Sequence, residues 1–274
     1  DVNRGWPVEA HYTPIRRDAR NLSIMKQPQP MKRMIRAAVN QVTEHFLFDS
    51  AYPAAEQVEF DTFHRDVFIQ CSKRLKYFEI TKRLKADDEL VRLCARVINA
   101  RVSNLRTRPK GITDKKVEGF YQLLAGDDAG SRVKALTNED QDYIYPAAGG
   151  GVDTNRPYFH PCIISSMKEC FFTGSRGTHG QKYQTRFSSC ITDGPGKSEL
   201  ELPIPMVCIV ATSAHASLDD WSQGYKRTKS DFRAEAYEFI YRGHELFLTT
   251  LREERPEFYH KLMSDLYNAV ACVS

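Results

Sequence analysis

The stretch DDELVRLCARVINARVSNLRTRPK, residues 87–110, decides how the fold is read. Leu90, Val91, Cys94, Val97, Ile98, Val102 and Leu105 recur at three-and-four spacing, the period of one helical face. Asp87 or Asp88 can cap the start, and the acids there suit the positive end of a helix. Pro109 and Gly111 mark the stop, so a helix is expected over about 87–108. A second stripe holds Arg92, Arg96, Asn99, Ser103, Arg106 and Lys110, with Arg101 and Arg108 flanking it. One long helix with an apolar side and a basic side is the simplest account of this segment.

The same period extends outward in both directions. Met31, Ile35, Ala38, Val42 and Phe46 predict a helix from Pro30. Phe60, Phe63, Val67, Cys71, Leu75 and Phe78 predict another over about 61–78, followed by a connector rich in Lys73, Arg74, Lys76, Lys82, Arg83 and Lys85. Residues 1–28 read as a basic arm, since Pro7, Pro14 and Pro28 interrupt any helix and Arg16, Arg17, Arg20 and Lys26 charge it. Downstream, helices are expected at about 114–124, 162–172, 204–221, from Ser230 or Asp231 to Pro256, and 257–271. The helix before Pro256 is expected to bury Phe232, Ala236, Phe239, Ile240, Gly243, Phe247 and Leu251. A polar stretch, 126–157, intervenes, in which Ile144 and Tyr145 read as a short docked extended piece and Gly149, Gly150 and Gly151 as a flexible loop; Thr173–Ser198 is a long loop. No convincing period-2 segment occurs. The expectation is an all-α, multi-helix globular bundle of seven or eight helices: an arm at 1–28 and a helical domain at 29–272, with 29–125 and 158–272 as its two lobes.

The composition fits a globular chain: 274 residues, 41% hydrophobic and 27% charged. The net charge of +4 is unevenly spread. Residues 1–120 hold 23 Lys and Arg against 15 Asp and Glu; the remainder holds 16 against 20. Such asymmetry points to a polyanionic partner. The seven cysteines are odd in number and irregular in spacing, and Cys71, Cys94 and Cys208 fall in apolar helical patterns. That is the habit of buried thiols in a reducing compartment, so an intracellular place, nuclear or cytoplasmic, is expected. The longest apolar run, Ile204–Ala211, contains Pro205 and is too short to span a bilayer, so no membrane partner is expected. The chain opens on Asp1 and not on Met, which suggests a fragment of a longer protein.

Chemical motifs are few. Gly196-Lys197-Ser198 has the end of a phosphate-binding loop, but Ile191 stands where its first glycine belongs. His160-Pro161-Cys162 with Cys170 and His179 is the densest His/Cys group, yet its spacing suits no tetrahedral zinc site. There is no G-x-S-x-G, and Asp219 with Asp220 reads as a solvated helix end. His215 and His244 read as core histidines, and Gly243 as a point of close helix packing. No catalytic residue, metal or cofactor is expected. The basic face leads instead to a non-enzymatic binding domain that contacts DNA or RNA in a loosely helix-turn-helix manner. Arg92, Arg96, Arg106 and Lys110 would neutralise phosphates, Asn99, Arg101 and Ser103 would reach bases, and Arg108 would flank them. Two alternatives stand beside it: a protein-interaction or homo-oligomerisation scaffold, and an enzyme with a site near His160 and His179.

Several short segments together resemble a known family. They are Met34-Ile35-Arg36-Ala37-Ala38, the Ile98–Lys110 segment with Arg101, Ser103 and Arg106, Val117-Glu118-Gly119-Phe120-Tyr121, and Tyr158-Phe159-His160-Pro161-Cys162-Ile163. Pro205-Met206-Val207 through Asp220-Trp221-Ser222-Gln223-Gly224, then Phe232 and Tyr241-Arg242-Gly243-His244, complete the set, which covers about residues 31–270. The chain resembles domain of unknown function 6532, a family of mushroom-forming fungi. The Thr173–Ser198 loop is longer than the compact form of that family. The resemblance implies an α-helical domain and carries no activity, cofactor or catalytic residue.

Overall fold

The structure is a computed structural model that describes residues 2–15, 18–52, 57–174, 177–227, 232 and 234–271. Arg16, Arg17, Ser230, Asp231 and Cys272 therefore lie outside the described residues. The all-α expectation holds. Eleven α-helices occur among the described residues: α1 (Gln29–Phe48), α2 (Gln57–Arg74), α3 (Phe78–Ala86), α4 (Asp88–Thr113), α5 (Val117–Phe120), α6 (Asp127–Leu136), α7 (Pro161–Met167), α8 (His179–Lys182), α9 (Ile204–Asp219), α10 (Ala234–Glu254) and α11 (Pro256–Ala271). Two antiparallel pairs are the only strands among those residues, β1 (Pro14–Ile15) with β2 (Asp18–Leu22) and β3 (Ala147–Ala148) with β4 (Gly151–Val152). The expected flexible loop at Gly149–Gly151 is in fact a tight hairpin. Gly149 and Gly150 both take positive φ, 52° and 93°, the backbone that a two-residue turn needs between twisted strands.

The chain divides into two compact units, 1–46 with 52–105, and 47–51 with 106–274. The boundary falls inside α4, after Leu105, and not in the 126–157 stretch. Pro109 does not stop this helix: it is buried within α4, which continues to Thr113. In the first unit, α2 ends and α3 begins through a turn. Tyr77 N–H donates to Ser72 O and Lys76 N–H to Lys73 O, each at 2.9 Å, and Lys76 takes the left-handed conformation at φ 60°. Ile80 and Leu84 anchor α3, while Arg83 is fully buried and not part of a basic connector. Its guanidinium donates to Asp87 Oδ2 (2.9 Å), Asn3 Oδ1 (2.9 Å), Ala10 O (2.9 Å) and Val2 O (2.6 Å). It also lies against the rings of Trp6 and Tyr12, 5.2 and 4.6 Å from their centres. The start of the expected arm is thus bound to α3 by one arginine.

In the second unit, α9 is apolar on almost every side and is buried accordingly, from Met206 and Val207 to Leu218. Helices α5, α7 and α10 pack on it, and α11 packs on α7 and α10. His244 of α10 is clamped between two buried tyrosines, with Tyr143 Oη 2.6 Å from Nε2 and Tyr158 Oη 3.1 Å from Nδ1. Burial and the neighbouring His215 hold its pKa down at about 3, so the ring is neutral. Helix α10 departs from expectation on its other side. Phe239 is 84% exposed and Leu246 68%, with Ala236, Gly243 and Phe247 also exposed. Tyr241, His244 and Leu248 face inward instead. No helix among the described residues is long and apolar enough to cross a membrane.

Candidate functional site

The structure spreads the predicted basic row around α4. Arg92, Arg96, Arg101, Ser103 and Arg108 are exposed, and Asn99 and Arg106 are half-buried. At 100° per residue, Arg101 and Arg108 lie roughly half a turn from Arg92, Arg96 and Ser103, at the far edge of the exposed face. Arg92 pairs with Glu89 at 3.1 Å, and Arg108 donates to Glu169 O at 3.2 Å. Lys110 corrects the expectation of an outward row. It is buried, with Nζ 2.5 Å from Asp114 Oδ1 and 2.7 Å from Asp220 Oδ2. A buried ammonium is tolerable only when paired, and Asp220 supplies that charge from the end of α9. Asp220 is accordingly buried and not part of a solvated helix end.

Exposed cations gather more closely just before α4. Lys73 and Arg74 end α2, Lys76 occupies the turn, and Lys82 and Lys85 lie on α3, all exposed. Phe78 is 65% exposed. Phe78, Lys82 and Lys85 are four and three residues apart, which places the ring and both cations on one helical face. Lys82 also pairs with Glu79 at 2.7 Å, a surface pair that salt screens. The sequence signal for this patch was the cation-rich connector; the helix within it was not foreseen.

The second unit holds a cleft of about 440 Å³ lined by residues including Phe48, Arg186, Cys190, Glu201, Arg252 and Tyr259. Leu202 N–H donates to Met263 O at 3.1 Å and ties the segment after the long loop to α11. This tie brings Glu201 against His260. Glu201 Oε1 accepts from Cys190 N–H at 2.7 Å and lies 2.7 Å from His260 Nδ1. Ser189 Oγ is 3.2 Å from the same ring nitrogen. On the other side of the ring, Nε2 is 3.3 Å from Glu199 Oε2, in ion-pair range though without hydrogen-bond geometry. Ser264 Oγ donates to that Glu199 oxygen at 3.2 Å. Gly196, at φ 94°, lies so close that a Cβ there would be 2.5 Å from Nε2. The glycine of the apparent phosphate-loop remnant is thus explained by packing on His260.

Other expected histidines sit apart from this cleft. His160 accepts from Cys162 N–H at 3.2 Å as the cap of α7 and stacks on Tyr121, ring centres 4.2 Å apart. His179 opens α8 and stacks on Tyr183. Burial lowers the pKa of each to about 4. Neither lines the cleft. Cys190, Glu201 and His260 are the one His/Cys/Asp/Glu group found close enough to share a metal ion among the described residues.

These features define an all-α domain of two compact units, one with an exposed basic surface and one with a polar cleft. The sequence model of one family, Domain of unknown function (DUF6532), matches residues 37–251, and the chain belongs to that family. No curated protein and no solved structure matches it.

Proposed function

We propose that this chain is a non-enzymatic binding domain whose first unit grips nucleic acid, DNA or RNA, by its phosphates. The α2–α3 turn carries the reading. A left-handed backbone costs an L-residue about 1–2 kcal/mol, and glycine ordinarily takes such positions. Lys76 holds this one, amid exposed Lys73, Arg74, Lys82 and Lys85. A charge kept at a strained position, beside an exposed aromatic ring, suits a surface that neutralises phosphates and stacks an unpaired base. The first unit as a whole carries 18 Lys and Arg against 12 Asp and Glu, the second 21 against 23. Arg92, Arg96 and Ser103 of α4 extend the contact along the strand, with Asn99 at a base edge, while Arg101, on the far edge of the exposed face, stands outside it. A fungal source and a nuclear or cytoplasmic place accompany this reading.

The test is fluorescence anisotropy with single-stranded and duplex probes over a range of KCl. Each neutralised phosphate contributes about 0.7 to the log–log salt slope on single strands and about 0.9 on duplex. Lys82→Glu with Lys85→Glu is expected to lower that slope by more than one phosphate. Phe78→Ala is expected to weaken single-strand binding by about 1–3 kcal/mol while leaving the slope alone. An unchanged affinity and slope in both variants retires the proposal.

A second reading, self-association, rests on α10. Ala236, Phe239, Gly243, Leu246 and Thr250 repeat at three and four, the seam spacing of paired helices. A Cβ on Gly243 would meet nothing nearer than Gln141 Nε2 at 3.9 Å, so packing within this chain does not demand the glycine. The occupant proposed for this face is a second copy of the chain. Light scattering across a concentration series is expected to show a dimer that Phe239→Lys with Leu246→Lys dissolves; a monomer throughout removes the reading.

A further inference from the structure

We propose that Cys190, Glu201 and His260 form a binding site for one zinc-like transition-metal dication, with its fourth coordination position open to the cleft. The site is separate from the basic surface above and does not depend on it.

The donor set is the first argument. A thiol, a carboxylate and an imidazole with ligand atoms within 4.8 Å of one another are the three donor types of zinc sites. Metal–ligand distances of about 2.0–2.3 Å put the donors of a tetrahedral site about 3.3–3.8 Å apart, so the widest separation closes by about an ångström on binding. Thiolate sulfur disfavours calcium and magnesium, which take oxygen. Glu201 and His260 are buried and Cys190 is half-buried, so the ion would be held partly out of water.

The surrounding shell is the second argument. A metal-bound histidine characteristically gives its other ring N–H to a carboxylate, which fixes the ring and raises its basicity. Here Nδ1 faces Glu201, while Nε2 has the Glu199 carboxylate, itself oriented by Ser264, within 3.3 Å, near enough to take up that N–H once the ring adjusts. On binding, the ion takes the Nδ1 lone pair in place of the Glu201 contact, and the neutral ring carries its proton on Nε2 toward Glu199. The Cys190 thiol gives its proton to solvent. Burial and the Glu201 carboxylate raise that thiol to about 11 in the metal-free protein, and a dication between the two anions reverses the penalty. Gly196 leaves room for the ring in this orientation.

Openness is the third argument. Cys190 and Glu201 both line the cleft, so a fourth ligand, water or a bound small molecule, reaches the ion from there. Three protein donors and one exchangeable position are the pattern of reactive zinc, in contrast to the closed four-ligand pattern of structural zinc.

The experiment titrates the chelator-treated 274-residue chain with Zn2+ against a chromophoric competitor, and with Co2+ by absorption spectroscopy. One equivalent per chain is expected, with thiolate-to-cobalt charge transfer in the near ultraviolet and the intense visible bands of tetrahedral Co2+. Cys190→Ser and His260→Gln are each expected to weaken Zn2+ binding by more than about tenfold, since even outer-shell partners are worth ten- to a hundredfold. Absence of a one-to-one complex, a cobalt spectrum without thiolate character, or variants that bind as well as the parent overturns the proposal. The cobalt spectrum of the unsubstituted chain needs no variant, so a substitution that fails to fold leaves the test decisive.

Discussion

At the scale of single residues, two buried polar clusters hold their groups together across the chain, one around His244 and one around Lys110. His244 gives each of two buried tyrosine hydroxyls its partner, Tyr143 through Nε2 and Tyr158 through Nδ1. His244→Phe keeps the ring volume and orphans both hydroxyls. Denaturant unfolding is expected to show a loss of about 2–6 kcal/mol, because each of the two unsatisfied buried groups costs about 1–3 kcal/mol. Lys110→Met likewise leaves Asp220 buried without its cation and is expected to cost about 3–5 kcal/mol. That second result also bears on nucleic acid: Lys110 is enclosed, so a folded Lys110→Met chain is expected to bind with an unchanged salt slope. Histidines of this kind were legible as core residues from their place in apolar patterns. The Lys110 pairing was not, since Asp220 is 110 residues away and only the fold joins them. Cys190, Glu201 and His260 escaped notice for the same reason, sitting on a loop, an extended segment and a helix with no local spacing to link them.

At the scale of elements, periodicity located α1, α4, α9 and α11 because each has an apolar face that is in fact buried. It failed on α3, a nine-residue helix whose inward side includes Thr81 and Arg83. It locates α10 but reverses part of its burial, because Phe239 of the apolar stripe points outward, as does Leu246. The α2–α3 turn supplies a test at this scale. Lys76→Gly relieves the left-handed backbone while removing one cation. The folded state is expected to gain about 0.5–1 kcal/mol, moderated by the greater freedom of glycine in the unfolded chain. Nucleic-acid affinity is expected to fall in the same variant, with a salt slope lower by about one phosphate's worth. Greater stability with undiminished binding would assign the lysine no role in recognition.

At the scale of the whole molecule, charge follows the division into units, and the sequence already contained that in the imbalance between its halves. The position of the boundary within a continuous helix was not readable, because α4 keeps one unbroken pattern across it. Acid stability is a property of the entire chain. His160, His179 and His244 all have folded pKa values depressed by burial, to about 4, 4 and 3. Each binds its proton more readily when unfolded, so their contribution is full above about pH 6.5 and is lost as pH falls toward 4 and then 3. For fully buried His244 the slope is about 1.4 kcal/mol per pH unit in that window. Urea unfolding at pH 7 and pH 5 is expected to show a lower midpoint at pH 5, and His244→Gln is expected to flatten the difference.

The Arg83 cage has a consequence for how the beginning of the chain behaves. Four hydrogen bonds and two aromatic faces converge on a guanidinium that has no access to water, and residues 2–12 supply most of them. That opening segment is therefore a stopper and not a tail. Trimming it would leave the guanidinium with Asp87 alone and strip the cover from one side of α3, and a chain shortened to start at residue 13 is expected to be recovered chiefly as insoluble material.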